Sequence, residues 1–335
     1  MKGIILKAYI KKIVYHLPES VAENTNERLR KKTGIERRHI CAENETAADL
    51  AFHAAEKLFS EIPRGSIDYI LLCTQSPDYY LPTTACILQD RLGLKKNCGA
   101  LDFNHGCSGY IYGLGLAKGL IESGQAKNIL FLTAETYSKY INSEDNSVKN
   151  LFGDAATATL ITSKNIEDDG IFGVEYGTDG AGFKNLIVPV GGMRERYQSS
   201  KIFVTTDKYG NTRTNQNLFM DGGAIMDFAL EVVPQTLENI LKKFSLRREE
   251  IDYYVFHQAN NFMLKSLQKI CRLEGKNFWN DMKNYGNTVS NSIPIALSEL
   301  IRQDKISELK KVLLIGFGVG LSWGGCVVDL SFCNR

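Results

Sequence analysis

The chain has 335 residues, 44% hydrophobic and 23% charged, with a net charge of +2. That is enough for two ordinary domains or one large fused one, with the balance of a soluble globular protein. It excludes a general nucleic-acid role, which needs a strong basic excess, and no run approaches the roughly 18 apolar residues of a membrane span. The opening Met1-Lys2-Gly3-Ile4-Ile5-Leu6-Lys7 is too short an apolar stretch for a signal peptide, so a cytoplasmic location is expected. Eight cysteines include no CxxC pair and there is no HExxH, so no metal site is expected, and eight free thiols suit a reducing compartment.

In chain order, the basic pairs Lys31-Lys32 and Arg37-Arg38 come first, then a helix over 47–60 and a strand over 67–72 opened by Ile67-Asp68-Tyr69. An apolar segment, 99–103, leads through a glycine-rich turn into a helix over 110–123, followed by strands at 129–132 and 156–161. Residues 183–218 are polar, rich in Gly and Asn, and read as a long irregular connection near an active-site mouth. Beyond them come a helix over 226–243, a second Ile-Asp-Tyr strand over 251–256, a helix over 292–303 and strands at 312–315 and 326–330. Between them, Lys265, Lys269 and Arg272 are spaced to share one helical face, either a solvated surface or a dock for an acidic partner. In each half an Ile-Asp-Tyr strand is followed after about 60 residues by a strand behind a basic stretch. This spacing predicts two duplicated halves, 1–165 and 166–335, of alternating α/β character.

Four segments carry candidate chemistry. Cys107, in Asn104-His105-Gly106-Cys107-Ser108-Gly109, falls between a strand and a helix, where free N–H groups and the helix dipole favour a thiolate. The same pattern suits a buried thiol in a glycine-rich helix. His257, in Phe256-His257-Gln258-Ala259-Asn260, follows an apolar strand, the usual site position in α/β folds, although a hydrogen-bonded core histidine also fits. Asn287, in Tyr285-Gly286-Asn287-Thr288, stands before a small-residue helix start and suits an N-cap equally well. It lies 36 residues after Ile251, as Cys107 lies 40 after Ile67, so the two occupy matching places in the halves. The Gly316–Gly325 run reads as a turn able to present N–H groups to an oxyanion. His105 reads as lining its turn.

As a set, these segments resemble the β-ketoacyl-acyl carrier protein synthase III family of the thiolase superfamily. The likeness runs nearly end to end, through Thr33-Gly34-Ile35, Arg37-Arg38-His39, the Cys107 turn, Phe152-Gly153-Asp154-Ala155, His257-Gln258-Ala259-Asn260, Tyr285-Gly286-Asn287-Thr288 and Gly318–Gly325. The resemblance implies a five-layered αβαβα fold, a homodimer, and decarboxylative condensation of an acyl thioester with a malonyl thioester. Cys107 would carry the acyl group, and His257 and Asn287 would stabilise the enolate. The N–H groups of Cys107 and Val319 would hold the oxyanion. No cofactor is implied; the substrates are thioesters of CoA or of acyl carrier protein, the expected partner. Lys32, Leu81, Asn260 and Phe262 would contact substrate, and Lys265 and Lys269 would dock the carrier.

Several positions depart from the family pattern. No Trp precedes Thr33 and Asn146 replaces an Arg, the two groups that usually stack the adenine of CoA, which implies a carrier-bound or unusual primer. Phe262 and Asp227 stand at positions usually basic, and Leu81 replaces a Phe that often closes the acyl pocket from the neighbouring subunit. Asn104-His105-Gly106 replaces a run of small residues. The other readings are acyl transfer to an alcohol or amine, a non-catalytic thioester-binding protein, and a papain-like protease, which lacks its CGSCW-type sequence here. A hydroxymethylglutaryl-CoA synthase would need a catalytic Glu upstream of the Cys.

Overall fold

The structure, a computed structural model, describes residues 6–165, 169–199, 201–303 and 306–333. Two sheets organise the chain. The first runs, in spatial order, Leu6–His16, Ala155–Asn165, Asn128–Glu135, Tyr69–Cys73 and Gly99–Phe103. The Tyr69–Cys73 strand is parallel to both of its neighbours, and the other pairings are antiparallel. The second sheet runs Tyr253–Phe256, Val312–Gly318, Ser322–Val328 and Glu175–Thr178, its first pair parallel.

Alternating side chains make the layers, because successive residues of a strand face opposite ways. Leu71, Cys73, Ile129 and Phe131 face one core; Ile70, Leu72, Leu130 and Leu132 face another. In the second sheet Val255, Val312 and Leu314 share the first of these cores, while Tyr254, Phe256, Leu313 and Ile315 face a third. The middle core is filled by the Gly109–Glu122 and Ser292–Gln303 helices, through Tyr110, Ile111, Leu114, Ile293 and Leu297. Outside the first sheet lie Ala47–Phe59, started by a Thr46/Asp49 capping box, and Thr84–Arg91. Outside the second lie Gly222–Lys243 and Asn261–Ile270. The result is the five-layered αβαβα thiolase architecture.

The two Ile-Asp-Tyr segments make the same contact. Asp68 accepts the Lys127 and Asn128 N–H groups, and Asp252 accepts those of Lys310 and Lys311, so each aspartate fixes the start of the strand that pairs with its own. Residue 166, where the second half is expected to begin, lies outside the described residues.

Three expectations change. The 183–218 segment is not simply irregular: it holds a Val204–Thr206/Thr212–Thr214 ladder, and its Leu186–Ile187 pairs with Phe219–Met220. The Gly316–Gly325 run is mostly two paired strands, because its glycines allow close backbone packing rather than a loop. Arg272 does not share a helical face with Lys265 and Lys269. The helix ends at Ile270, Arg272 has φ +56°, and the Leu273 N–H bonds back to the Gln268 carbonyl while Leu273 packs inside.

Candidate active site

Cys107, His257 and Asn287 line one cleft, with Leu151, Phe152, Leu186, Met220 and Phe317 among the apolar walls. Each side chain is delivered by an element end. Cys107 follows the Gly99–Phe103 strand and precedes the Gly109–Glu122 helix, and His257 directly follows the Tyr253–Phe256 strand. Asn287 is pinned to the segment around Phe152: its N–H donates to the Leu151 carbonyl at 2.8 Å and its carbonyl accepts from the Gly153 N–H at 3.0 Å. The site thus sits at the carboxyl ends of strands from both sheets.

The Val312–Gly318 strand lies directly on the Cys107 turn. A Cβ at Gly316 would stand 2.8 Å from the Cys107 carbonyl oxygen and 2.9 Å from Ser108 Cα; one at Gly318 would stand 2.9 Å from Cys107 Cβ. Only glycine permits that approach.

His257 is buried, and desolvation pushes its pKa down to about 3, so the ring is neutral near pH 7. Ser292 Oγ stands 2.6 Å from its Nδ1 and accepts the Gln258 N–H at 3.3 Å. Ser292 is therefore placed to give its own proton to Nδ1, which leaves the ring proton on Nε2 as a donor. Asn287 is oriented in a similar way. The Val289 N–H donates to Asn287 Oδ1 at 2.9 Å, leaving the amide N–H groups for a ligand. Val289 is a fully buried β-branched residue at φ +56°, a conformation costing about 1–3 kcal/mol.

The thiol departs from expectation. Burial, and then the nearby charge of Glu135, push the Cys107 pKa up rather than down, so the resting group is a thiol. Glu135 is itself fully buried and burial raises its pKa to about 8, partly offset by hydrogen bonds from the Gln75 N–H and the Ser290 and Ser76 hydroxyls.

Of the remaining expected residues, Asn260 lines the cleft and caps the Asn261–Ile270 helix through the Met263 N–H. Phe262 is exposed beside Lys32, whose Nζ lies 5.6 Å from the ring centroid; Lys265 and Lys269 are exposed on the same helix. Leu81 is 82% exposed and the fold does not bring it to the cleft. Val319 adjoins the cleft residue Gly318 and packs near Gly106. His105 stacks on Tyr112 with ring centroids 4.2 Å apart and does not line the cleft. Sequence reading missed Ser292, Glu135 and Ser290, whose hydrogen-bond partners lie far away in the chain. Replacing Ser292 with alanine is expected to slow any step that needs the Nε2 proton by about 10²-fold, the usual cost of misplacing a catalytic group. Acylation of Cys107 should change little; a rate series on the two half-reactions checks this.

Residues 101–180 match the 3-oxoacyl-[acyl-carrier-protein (ACP)] synthase III family and residues 241–330 its C-terminal part. A β-ketoacyl-[acyl-carrier-protein] synthase III of Clostridium perfringens is 38% identical over 310 residues, 92% of each chain. A solved 3-oxoacyl-(acyl-carrier-protein) synthase III is 45% identical with a TM-score of 0.93, covering 96% of this chain and 99% of that one. The Burkholderia xenovorans 3-oxoacyl-(acyl-carrier protein) synthase is 34% identical with a TM-score of 0.89, covering 98% and 95%. With this coverage and a cleft that gathers Cys107, His257 and Asn287, the chain belongs to the 3-oxoacyl-[acyl-carrier-protein] synthase III family of acyl-transferring, condensing enzymes.

Proposed function

We propose that the protein condenses an acyl thioester primer with a malonyl thioester carried on acyl carrier protein. The convergence of Cys107, His257 and Asn287 in one cleft carries this reading. Cys107 sulfur attacks the primer carbonyl; the bond to the donor thiol breaks, and the cysteine proton leaves with that thiol. Covalent capture splits one hard step into two easier ones. The malonyl thioester then enters. As its carboxylate departs as CO2, the C–C electron pair passes into an enolate whose oxygen receives hydrogen bonds from His257 Nε2–H and the Asn287 amide. The enolate carbon attacks acyl-Cys107, the thioester bond to sulfur breaks, a β-ketoacyl thioester leaves, and the Cys107 thiolate takes up a proton from water to restore the thiol. The N–H groups of Cys107 and Val319 hold the tetrahedral oxyanion between these events. No cofactor takes part.

The relatives are named for acyl carrier protein, which supports it as the partner. Exposed Lys265 and Lys269 on the helix that Asn260 caps suit an acidic carrier. Asn260 lines the cleft, and Lys32 and exposed Phe262, which lie side by side, would contact the substrate as it enters. A separate cleft holding Asn146 is lined by Asn24, Asn26, Arg38, Lys149 and Asn150 and by no aromatic ring, which favours a carrier-bound primer over one held by adenine stacking. A homodimer is supported by the Gly99–Phe103 strand, an edge of its sheet with Leu101 41% exposed, and by the exposed Tyr79-Tyr80-Leu81 run, from which Leu81 would reach a partner's acyl pocket. The halves 1–165 and 166–335 are read as a duplication, for which the matched roles of Asp68 and Asp252 speak. A cytoplasmic setting goes with this reading; among the described residues no helix is long and apolar enough to cross a membrane.

Intact-protein mass spectrometry with a panel of acyl-CoA and acyl-carrier thioesters tests the reading. One acyl adduct, discharged by malonyl thioester as a β-ketoacyl product, is expected. Discharge to an alcohol or amine but not to malonyl thioester would move the assignment to simple acyl transfer.

A further inference from the structure

The turn that carries Asn287 is held by a buried polar cluster from the first sheet. Ser290 Oγ donates to Glu135 Oε1 at 3.0 Å, Thr133 Oγ1 donates to Asn291 Oδ1 at 2.6 Å, and Asn291 Nδ2 donates to the Ala155 carbonyl at 3.0 Å. Ser290 and Asn291 are almost completely buried, and Glu135 and Thr133 completely so. These bonds grip both residues that follow Val289, the residue in the left-handed conformation whose N–H orients Asn287.

The same carboxylate reaches the nucleophile's side of the cleft. Glu135 Oε2 accepts the Gln75 N–H at 3.1 Å and the Ser76 hydroxyl at 3.2 Å. The Gln75 side chain abuts Gly106: a Cβ there would stand 2.6 Å from Gln75 Oε1 and 3.3 Å from Val289 Cγ1. Glu135 therefore joins the loop beside Cys107 to the turn beyond Asn287, across the two sheets.

We infer that Glu135 and Ser290 are positioning residues for Asn287: their hydrogen bond holds the strained Val289 turn so that the Asn287 amide points its N–H groups at the malonyl thioester. The alternative is that the cluster only fills a buried polar space. A buried carboxyl group bonded to the Gln75 N–H and to the Ser76 and Ser290 hydroxyls, all neutral donors, is an expensive way to do that. The strain at Val289 also needs surroundings that over-determine it, and they are supplied on both sides. Cys73, Cys107, Tyr137, Tyr140 and Asp154 are the other titratable groups that face Glu135.

This inference rests on the condensing reading above, and the experiment separates the two. Malonyl-thioester decarboxylation and Cys107 acylation are measured separately in wild type, Ser290→Ala, Ser290→Thr, Glu135→Gln, Asn287→Ala and Ser290→Ala/Asn287→Ala. A wild type that shows neither half-reaction overturns the condensing reading itself. With both present, Ser290→Ala and Glu135→Gln are expected to slow decarboxylation by about 10- to 100-fold and acylation by less than about 3-fold. Ser290→Thr, which keeps the hydroxyl, should recover most of the loss, and the double variant should decarboxylate no more slowly than Asn287→Ala alone. Equal losses in both half-reactions, no loss in either, or losses that multiply in the double variant would overturn the positioning role. Glu135→Gln tests the carboxylate, and Ser290→Ala keeps the test decisive should Glu135→Gln fail to fold.

Discussion

Cys107→Ala protein is expected to fold, to take up no acyl group from any donor, and to form β-ketoacyl product at least about 10³-fold more slowly than wild type, because the covalent intermediate is lost with its sulfur. The exchange removes one atom from a side chain that is 5% exposed at a cleft wall, so stability should shift by only about 1 kcal/mol. Malonyl-thioester decarboxylation should survive, since the Nε2 proton of His257 and the Asn287 amide are untouched. His257→Ala should show the reverse pattern, with acyl loading kept and decarboxylation lost. Mass spectrometry for the adduct and CO2 release for the second half-reaction make the comparison. An acyl adduct persisting in Cys107→Ala would sink the assignment of the nucleophile.

Gly316→Ala should be far more damaging than its single methyl suggests. The new Cβ would press on the carbonyl of Cys107 and the Cα of Ser108, which are main-chain atoms with no rotamer to escape into. Overpacking of this kind typically costs about 1–3 kcal/mol. Any relief must come from moving the nucleophile turn, so acyl loading should fall by about 10²-fold in whatever protein folds. Gly119→Ala is the contrast: it lies within the Gly109–Glu122 helix with nothing within 4 Å of the added Cβ, and should be neutral or stabilising by up to about 1 kcal/mol. Thermal melts of the two variants beside wild type, with loading rates, test the pair. Equal melting temperatures would show that the strand does not press on the turn.

Much of this architecture could be read from the chain because its signals are local. Strands such as 99–103 and helices such as 292–303 declare themselves by period and agree with the structure. Cys107, His257 and Asn287 were visible because each follows or precedes an element with little intervening chain. What stayed hidden depends on distant partners. The Gly316–Gly325 run reads as a turn because the reason for Gly316 and Gly318, the close approach of Cys107, is more than 200 residues away in sequence. The thiol looked activated because helix position is local, whereas burial and the charge of Glu135 are not. Arg272 looked helical because nothing in residues 265–272 is a glycine, yet buried Leu273 draws the chain into a left-handed turn. Ser292, 35 residues from His257, orients its ring through a single contact that no periodicity records.

The pairing of the first strand also bears on how the chain is made. Leu6–His16 sits at the edge of its sheet and hydrogen-bonds to Ala155–Asn165, with Leu6 opposite Asn165 and His16 opposite Ala156. On a ribosome, that partner is not synthesised until roughly 140 residues later, a wait of about 7–30 s at ordinary elongation rates. Throughout it the nascent chain exposes an 11-residue β-prone segment, LKAYIKKIVYH, with no partner yet made. Its Lys7, Lys11 and Lys12 place positive charge along that segment, which discourages pairing with other nascent chains. The lysines thus guard the chain in the interval before Glu61 and Asp169 become the ion-pair partners of Lys12 and Lys7.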